Sequence, residues 1–161
     1  MKTRLKNKIK WLTLAGVCLI VSFVISKYYF QLMLIQGTSM EPAYHDLQMV
    51  WLDKRSDLYT YGDVIAFRCD SLDEILVKRV AALPSDSIHI VEGSLYVNGE
   101  VSTVYPKQGI FEKAGIAAEV ISARDKQYFV IGDNIRESKD SRYDEIGFVN
   151  ASDIIGKVVE H

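Results

Sequence analysis

A chain of 161 residues has room for one core of its own once a membrane segment is subtracted, and not for two well-packed domains. Its formal charge of -2 is small and no basic run lies within the body of the chain, which argues against a nucleic-acid partner. Of the two cysteines, Cys18 falls inside the most apolar stretch, so no disulfide with Cys69 is expected, and the redox compartment stays open.

Lys2, Arg4, Lys6, Lys8 and Lys10 precede an uncharged run from Trp11 to Ser26. As a helix that run covers about 24 Å, slightly short of a bilayer core of ~30 Å. Continuing through Tyr28, Tyr29 and Phe30 completes the span if Lys27 snorkels to the interface. Residues 1–10 are therefore expected to form a cytoplasmic basic segment, 11–30 a single transmembrane anchor, and 31–161 an extracytoplasmic domain. A cleavable export signal has the same start, but Ser26 to Leu34 is bulky and lacks a small-x-small site, which favours a retained anchor. The run is apolar all round, unlike a surface helix of a soluble protein.

Beyond the anchor, β-branched and aromatic residues mark strands at Gln48 to Leu52, Val64 to Arg68, Ile75 to Ala82, Ser87 to Val91, Ser94 to Val97, Tyr128 to Ile131 and Ile154 to Val159,. Glu92-Gly93 and Asn98-Gly99 predict a tight hairpin meander. Ser102 to Ala123, with Pro106 and weak periodicity, reads as a loop-rich excursion. The expected fold is mainly β, on one N-terminal helix.

Gly37-Thr38-Ser39-Met40-Glu41-Pro42 follows the anchor closely. A serine hydroxyl needs a base before it becomes a useful nucleophile. The three histidines, His45, His89 and His161, belong to no Ser/His/Asp pattern, and there is no Gly-x-Ser-x-Gly elbow,. Lys78 sits in the apolar strand Ile75-Leu76-Val77-Lys78-Arg79-Val80-Ala81-Ala82, where burial would lower its pKa. On spacing alone a solvated lysine is as good a reading, because adjacent strand residues point to opposite faces.

The Gly37 to Pro42 segment resembles the Gly-x-Ser-Met-x-Pro box of bacterial type I signal peptidases. Gly62-Asp63-Val64-Ile65-Ala66-Phe67 is similar to a second box, and Val77-Lys78-Arg79-Val80 through Leu83-Pro84-Ser85-Asp86 to the box with the catalytic lysine. Gly132-Asp133-Asn134 with Ser138-Lys139-Asp140-Ser141-Arg142 resembles the last. The resemblance implies a β-sheet catalytic domain in which Ser39 attacks the scissile carbonyl and neutral Lys78 takes its proton, later activating water on the acyl-enzyme. It implies that Ser138 orients the lysine amine, that Arg79, Asp133, Asp140 and Arg142 support the site, and that Ile35, Met40, Tyr44 and Val77 form pockets for small side chains. The partners implied are signal peptides of exported preproteins, bound as an added strand, and a lipid bilayer; a monomer in the bacterial cell membrane is expected. No cofactor or metal is expected, since no ligand cluster has the needed spacing.

Departures from the pattern are Gly37, which offers no oxyanion hydroxyl and leaves that task to the Ser39 N–H and other donors, together with Ile135, Ser85 and Ala43. The alternative of another class is a non-catalytic relative that assists assembly of surface proteins. A self-cleaving repressor would need a DNA-binding helix pair in place of the anchor, and a transpeptidase using Cys69 has no matching box.

Overall fold

The structure, a computed structural model, describes residues 2–105 and 109–159, without the side chains of residues 2, 3 and 5. His161 and Pro106, and the side chain of Lys2, lie outside the described residues. The uncharged run and the basic residues before it fold together as one helix, α1 (Lys2–Tyr28), whose Lys6–Tyr28 part is long and apolar enough to cross a membrane. It stops two residues short of the expected 11–30 boundary because Phe30 is taken into a strand opposite Asp53.

The strands in chain order are β1 (Phe30–Leu34), β2 (Met49–Asp53), β3 (Val64–Cys69), β4 (Glu74–Ala82), β5 (Ser87–Val91), β6 (Ser94–Val97), β7 (Glu100–Val101), β8 (Ile121–Ser122), β9 (Gln127–Ile131), β10 (Val149–Asn150) and β11 (Ile154–Val158). Every strand expected from sequence is present within one residue at each end, while β1, β7, β8 and β10 are additional. Glu92 and Gly93 have φ of 52° and 70°, and Asn98 and Gly99 have 55° and 81°. Two consecutive positive φ angles match the right-handed strand twist, so β5, β6 and β7 follow one another as a meander. The Ser102 to Ala123 excursion returns through β8 to pair with β5.

A seven-stranded antiparallel sheet runs β1-β2-β11-β3-β4-β9-β10, and a four-stranded sheet runs β7-β6-β5-β8. Both faces of β3 are covered. Val64 and Ala66 pack with Leu52, Val77 and Val158, while Ile65 and Phe67 pack with Val80, Tyr128 and Val130. A third cluster joins the two sheets through Ala82, Ile88, Leu95, Phe129 and Ile131.

The pairing of β4 positions the site. Along β3 it pairs over its length, from Glu74 opposite Cys69 to Arg79 opposite Val64. On its other edge β9 begins only at Arg79, opposite Ile131. The second edge of Glu74–Lys78 thus has no strand partner among the described residues. At the end of the same sheet, β1 pairs with β2 alone.

Candidate active site

Ser39 lies on the turn after β1, and the chain is held there from three directions. Gly37 adopts φ 85°, and its N–H donates to Asp46 Oδ1 at 2.7 Å. Met40 is 1% exposed and anchors the turn in the cluster beneath. From the opposite side the Asn134 N–H donates to the Ser39 carbonyl at 3.0 Å, and Asn134 Nδ2 donates to the Thr38 carbonyl at 3.2 Å. No group among the described residues accepts from the Ser39 N–H, so this donor is available to a developing oxyanion.

Lys78 enters from β4. Its Nζ donates to Ser39 Oγ at 2.8 Å and to the Val77 carbonyl at 2.9 Å. The residue is 3% exposed, which disposes of the solvated reading. Burial pushes its pKa from 10.5 down to about 8, against the upward pull of the Asp140 and Asp133 carboxylates. The neighbouring Arg79 has a different environment: its Nε and Nη2 make a bidentate pair with Asp133 at 2.7 and 2.6 Å, and Nη1 donates to the Gly62 carbonyl at 2.7 Å. That pairing raises the Arg79 pKa and fixes the loop after β9 to β4. Tyr105 adds a donor to the Ile131 carbonyl at 3.1 Å.

Asp140 and Arg142 are buried together, with Nε–Oδ1 at 2.8 Å and Nη2–Oδ2 at 2.9 Å. Asp140 Oδ2 also accepts from the Gly132 N–H, and Arg142 Nη2 donates to the Ile135 and Ser138 carbonyls. The pair therefore clasps both ends of the loop from Gly132 to Arg142. At Gly132 a Cβ would lie 2.5 Å from the Ser39 carbonyl oxygen and collide with Ser138 Oγ, so close approach of the two loops requires glycine here.

Ser138 is 2% exposed and its hydroxyl has no hydrogen-bond partner. It is near the site but makes no hydrogen bond with Lys78. Ile35, Met40, Tyr44 and Val77 gather in one buried cluster. Three of them, Ile35, Met40 and Val77, line a cleft of about 730 Å³ that contains Ser39 and Lys78; Tyr44 shares their cluster but does not line the cleft. Met33, Gln36, Ile75 and Leu76 also line this cleft; the sequence reading did not single them out, although alternation in Ile75–Ala82 could have flagged Ile75. Asp46, Asn134 and Tyr105 were missed as well. Asn134 stands inside a motif, whereas no local pattern marks Asp46 or Tyr105. Among the described residues no group of three or more His, Cys, Asp or Glu is placed to hold a metal.

Residues 8–161 match the family model described as signal peptidase, peptidase S26. Signal peptidase I of Bacillus licheniformis is 27% identical over 165 residues, covering 96% of this chain and 88% of the relative. Signal peptidase I U of Bacillus subtilis is 32% identical over 165 residues, covering 94% and 86%. A crystallised signal peptidase I from Enterococcus faecalis superposes with a TM-score of 0.51 at 26% identity, over 63% of this chain and 97% of that one. A turn that places Ser39 against a buried lysine and an antiparallel β architecture thus coincide with sequence similarity over nearly the whole chain, and the chain belongs to the peptidase S26 family of signal peptidases, serine hydrolases that remove signal peptides.

Proposed function

We propose that Ser39 attacks the peptide carbonyl at the end of a signal peptide and that Lys78 is the base that activates it. The observation that carries this reading is the 2.8 Å contact between a buried lysine amine and the serine hydroxyl. With a pKa of about 8, roughly one lysine in ten is neutral at pH 7. In the neutral form the hydrogen bond reverses, and the hydroxyl donates to the amine lone pair. As Oγ bonds to the carbonyl carbon its proton passes to Nζ, and the oxyanion meets the Ser39 N–H. The protonated amine then supplies the proton that the departing amine needs. The same base, neutral again, activates the water that cleaves the acyl-enzyme.

Substrate would enter as a strand. The open edge of Glu74–Lys78 and the outer edge of β1 border the same cleft, so an extended peptide laid there gains backbone hydrogen bonds, and the pockets at Ile35, Met40 and Val77 select small side chains. Arg79 with Asp133, and Arg142 with Asp140, hold the loop that carries Ser138. We read that hydroxyl, buried without a partner, as the group that orients the amine once Nζ leaves the Val77 carbonyl. The non-catalytic alternative is not favoured by any contact, since it gives a buried lysine beside Ser39 no task.

The helix α1 would span the bilayer with residues 1–10 in the cytoplasm and 31–161 outside. Its Lys6–Tyr28 part extends about 34 Å as a helix, enough for a core of ~30 Å. Leu32, Leu34, Met49 and Trp51 are exposed in facing pairs on β1 and β2, just beyond the helix end, where the interface would lie. Ser39 and Lys78 come from one chain, so a monomer suffices.

The test is cleavage of a preprotein whose signal ends in Ala-x-Ala by purified full-length protein in detergent. Ser39→Ala and Lys78→Ala are each expected to abolish product formation while remaining folded. Near-normal turnover by Lys78→Ala would remove the dyad reading.

A further inference from the structure

Two separate clefts adjoin the turn that carries Ser39. One holds Ser39 and Lys78. The other, of about 530 Å³, is walled by Pro42, Val104, Tyr105, Ile110 and Ile135. It touches the nucleophile turn directly. Glu41 and Pro42 follow Ser39 within three residues, and Asn134, which also lines the cleft, donates to the Ser39 and Thr38 carbonyls. A peptide whose signal-side half lies in the first cleft must pass Ser39 and continue, and this second hollow begins at Glu41 and Pro42, immediately beyond the residues of the turn that line the first.

The character of the second cleft is set by what its polar groups already do. The Tyr105 hydroxyl is engaged with the Ile131 carbonyl and the residue is 7% exposed, so what it offers is ring surface. The Asp133 carboxylate is occupied by Arg79, and Arg136 Nε pairs with Glu112 Oε1 at 3.0 Å. The Ile135 carbonyl is held by Arg142 Nη2 at 2.8 Å, which fixes the backbone behind its side chain. Among the described residues, what remains for a ligand is mostly the aliphatic surface of Val104, Ile110 and Ile135, all half-buried, with the half-buried Glu41 at the rim.

We propose that this cleft binds the first residues of the mature protein, on the leaving side of the cut, and favours an apolar side chain there, with Ile135 and Val104 setting the preference. The proposal rests on the Ser39/Lys78 reading and adds selection on the side of the bond that the signal peptide does not occupy. Burial of an aliphatic side chain in such a wall discriminates against a polar one of equal size by about tenfold.

The test uses peptides with one signal-side half ending in Ala-x-Ala and alanine at the first three leaving-side positions, replaced one at a time by Leu or by its near-isostere Asn. For the full-length protein in detergent, kcat/KM is expected to favour Leu over Asn by about tenfold at one or more of these positions. Ile135→Asn and Val104→Asn, each checked for folding by circular dichroism, are expected to bring that ratio below about twofold. The ratio is internal to each enzyme, so a general loss of turnover does not affect it; where one variant fails to fold, the other decides. The methyl ester of the signal-side half, which has no leaving-side residues, separates the two ideas. If wild type does not hydrolyse the ester, the dyad reading fails and the proposal with it. If the ester is hydrolysed but the Leu to Asn ratio is near one at all three positions, or survives in the folded variants, the proposal is overturned.

Discussion

Lys78 Nζ and Ser39 Oγ are 2.8 Å apart although 39 positions separate them in the chain. If Lys78 takes the Ser39 proton, the amine must be neutral at the moment of attack, and cleavage is then expected to rise with pH through a midpoint near about 8, well below that of free lysine and above a histidine titration near ~6.5. A pH profile of kcat/KM checks this. A rate already saturated at pH 6 would count against Lys78 as the base.

The same shift has a consequence for stability, whose sign follows from proton counting. Below about 8 both folded and unfolded states hold the lysine proton, and burying the ammonium costs the full difference between about 8 and 10.5, about 3 kcal/mol. Between those values the unfolded state binds more protons, so stability rises with pH. Above 10.5 the penalty is gone. Lys78→Met is therefore expected to be more stable than wild type at pH 7, by up to ~3 kcal/mol, with the gap closing towards pH 10.5. Paired thermal unfolding at the two pH values measures it; a gap that widens with pH would contradict the assignment.

Ser138 separates rate from stability. Its hydroxyl is buried with no partner, so Ser138→Ala removes no resting hydrogen bond and is expected to leave the Tm unchanged or slightly raised. If the hydroxyl orients the lysine in the transition state, the rate falls about ten- to a hundredfold. In a Lys78→Ala background the Ser138 change should add almost nothing. Single-turnover measurements of the three variants provide the cycle; full additivity would show that the two residues do not cooperate.

Strand content was legible where local chemistry decides it. Ser87 to Val91 and Ser94 to Val97 are rich in β-branched and aromatic residues and are joined at Glu92-Gly93, so even their ends could be read. The Phe30–Leu34 strand was hidden because its apolar residues continue the anchor without a break, and only pairing with Met49–Asp53 ends the helix. Val149–Asn150 and Ile121–Ser122 are two-residue strands created by their partners. In the site, Ser39 and Lys78 stood out through motifs and the lack of a histidine base. The link from Asn134 to Ser39 joins distant segments, and Asp46, nine residues after Gly37, stands in no motif, so neither left a local signature.

Ser85 illustrates a departure with a physical price tag. It adopts φ 72°, a conformation that costs a residue with a Cβ about 1–2 kcal/mol. Ser85→Gly should relieve that strain, less the added flexibility of the unfolded chain, for a net gain of about 1 kcal/mol. Thermal unfolding is the measurement, and a loss of stability would show that the serine side chain contributes more than its backbone strain.

Topology is tested by protease added to intact spheroplasts. With the basic residues before Trp11 held inside, the domain from residue 31 onward is expected to be digested without lysis. Protection until lysis would reverse the orientation and deny the enzyme translocated substrates.

The second edge of Glu74–Lys78, which has no strand partner among the described residues, has a cost outside catalysis. An exposed row of backbone donors and acceptors is a template for any extended chain, including another copy of the same protein, and folded proteins ordinarily cover or charge such rows to avoid aggregation. Here covering would close the enzyme. The far end of the groove carries Arg68, Asp73 and Glu74 instead, and Asp73, at φ 52°, turns the backbone where the strand begins. On the proposed strand-binding reading, charges at one end of the groove and a buried amine at the other would make it a poor seat for another long, flat β-strand while admitting a short peptide with small side chains, so the residues bordering the substrate would also oppose self-association.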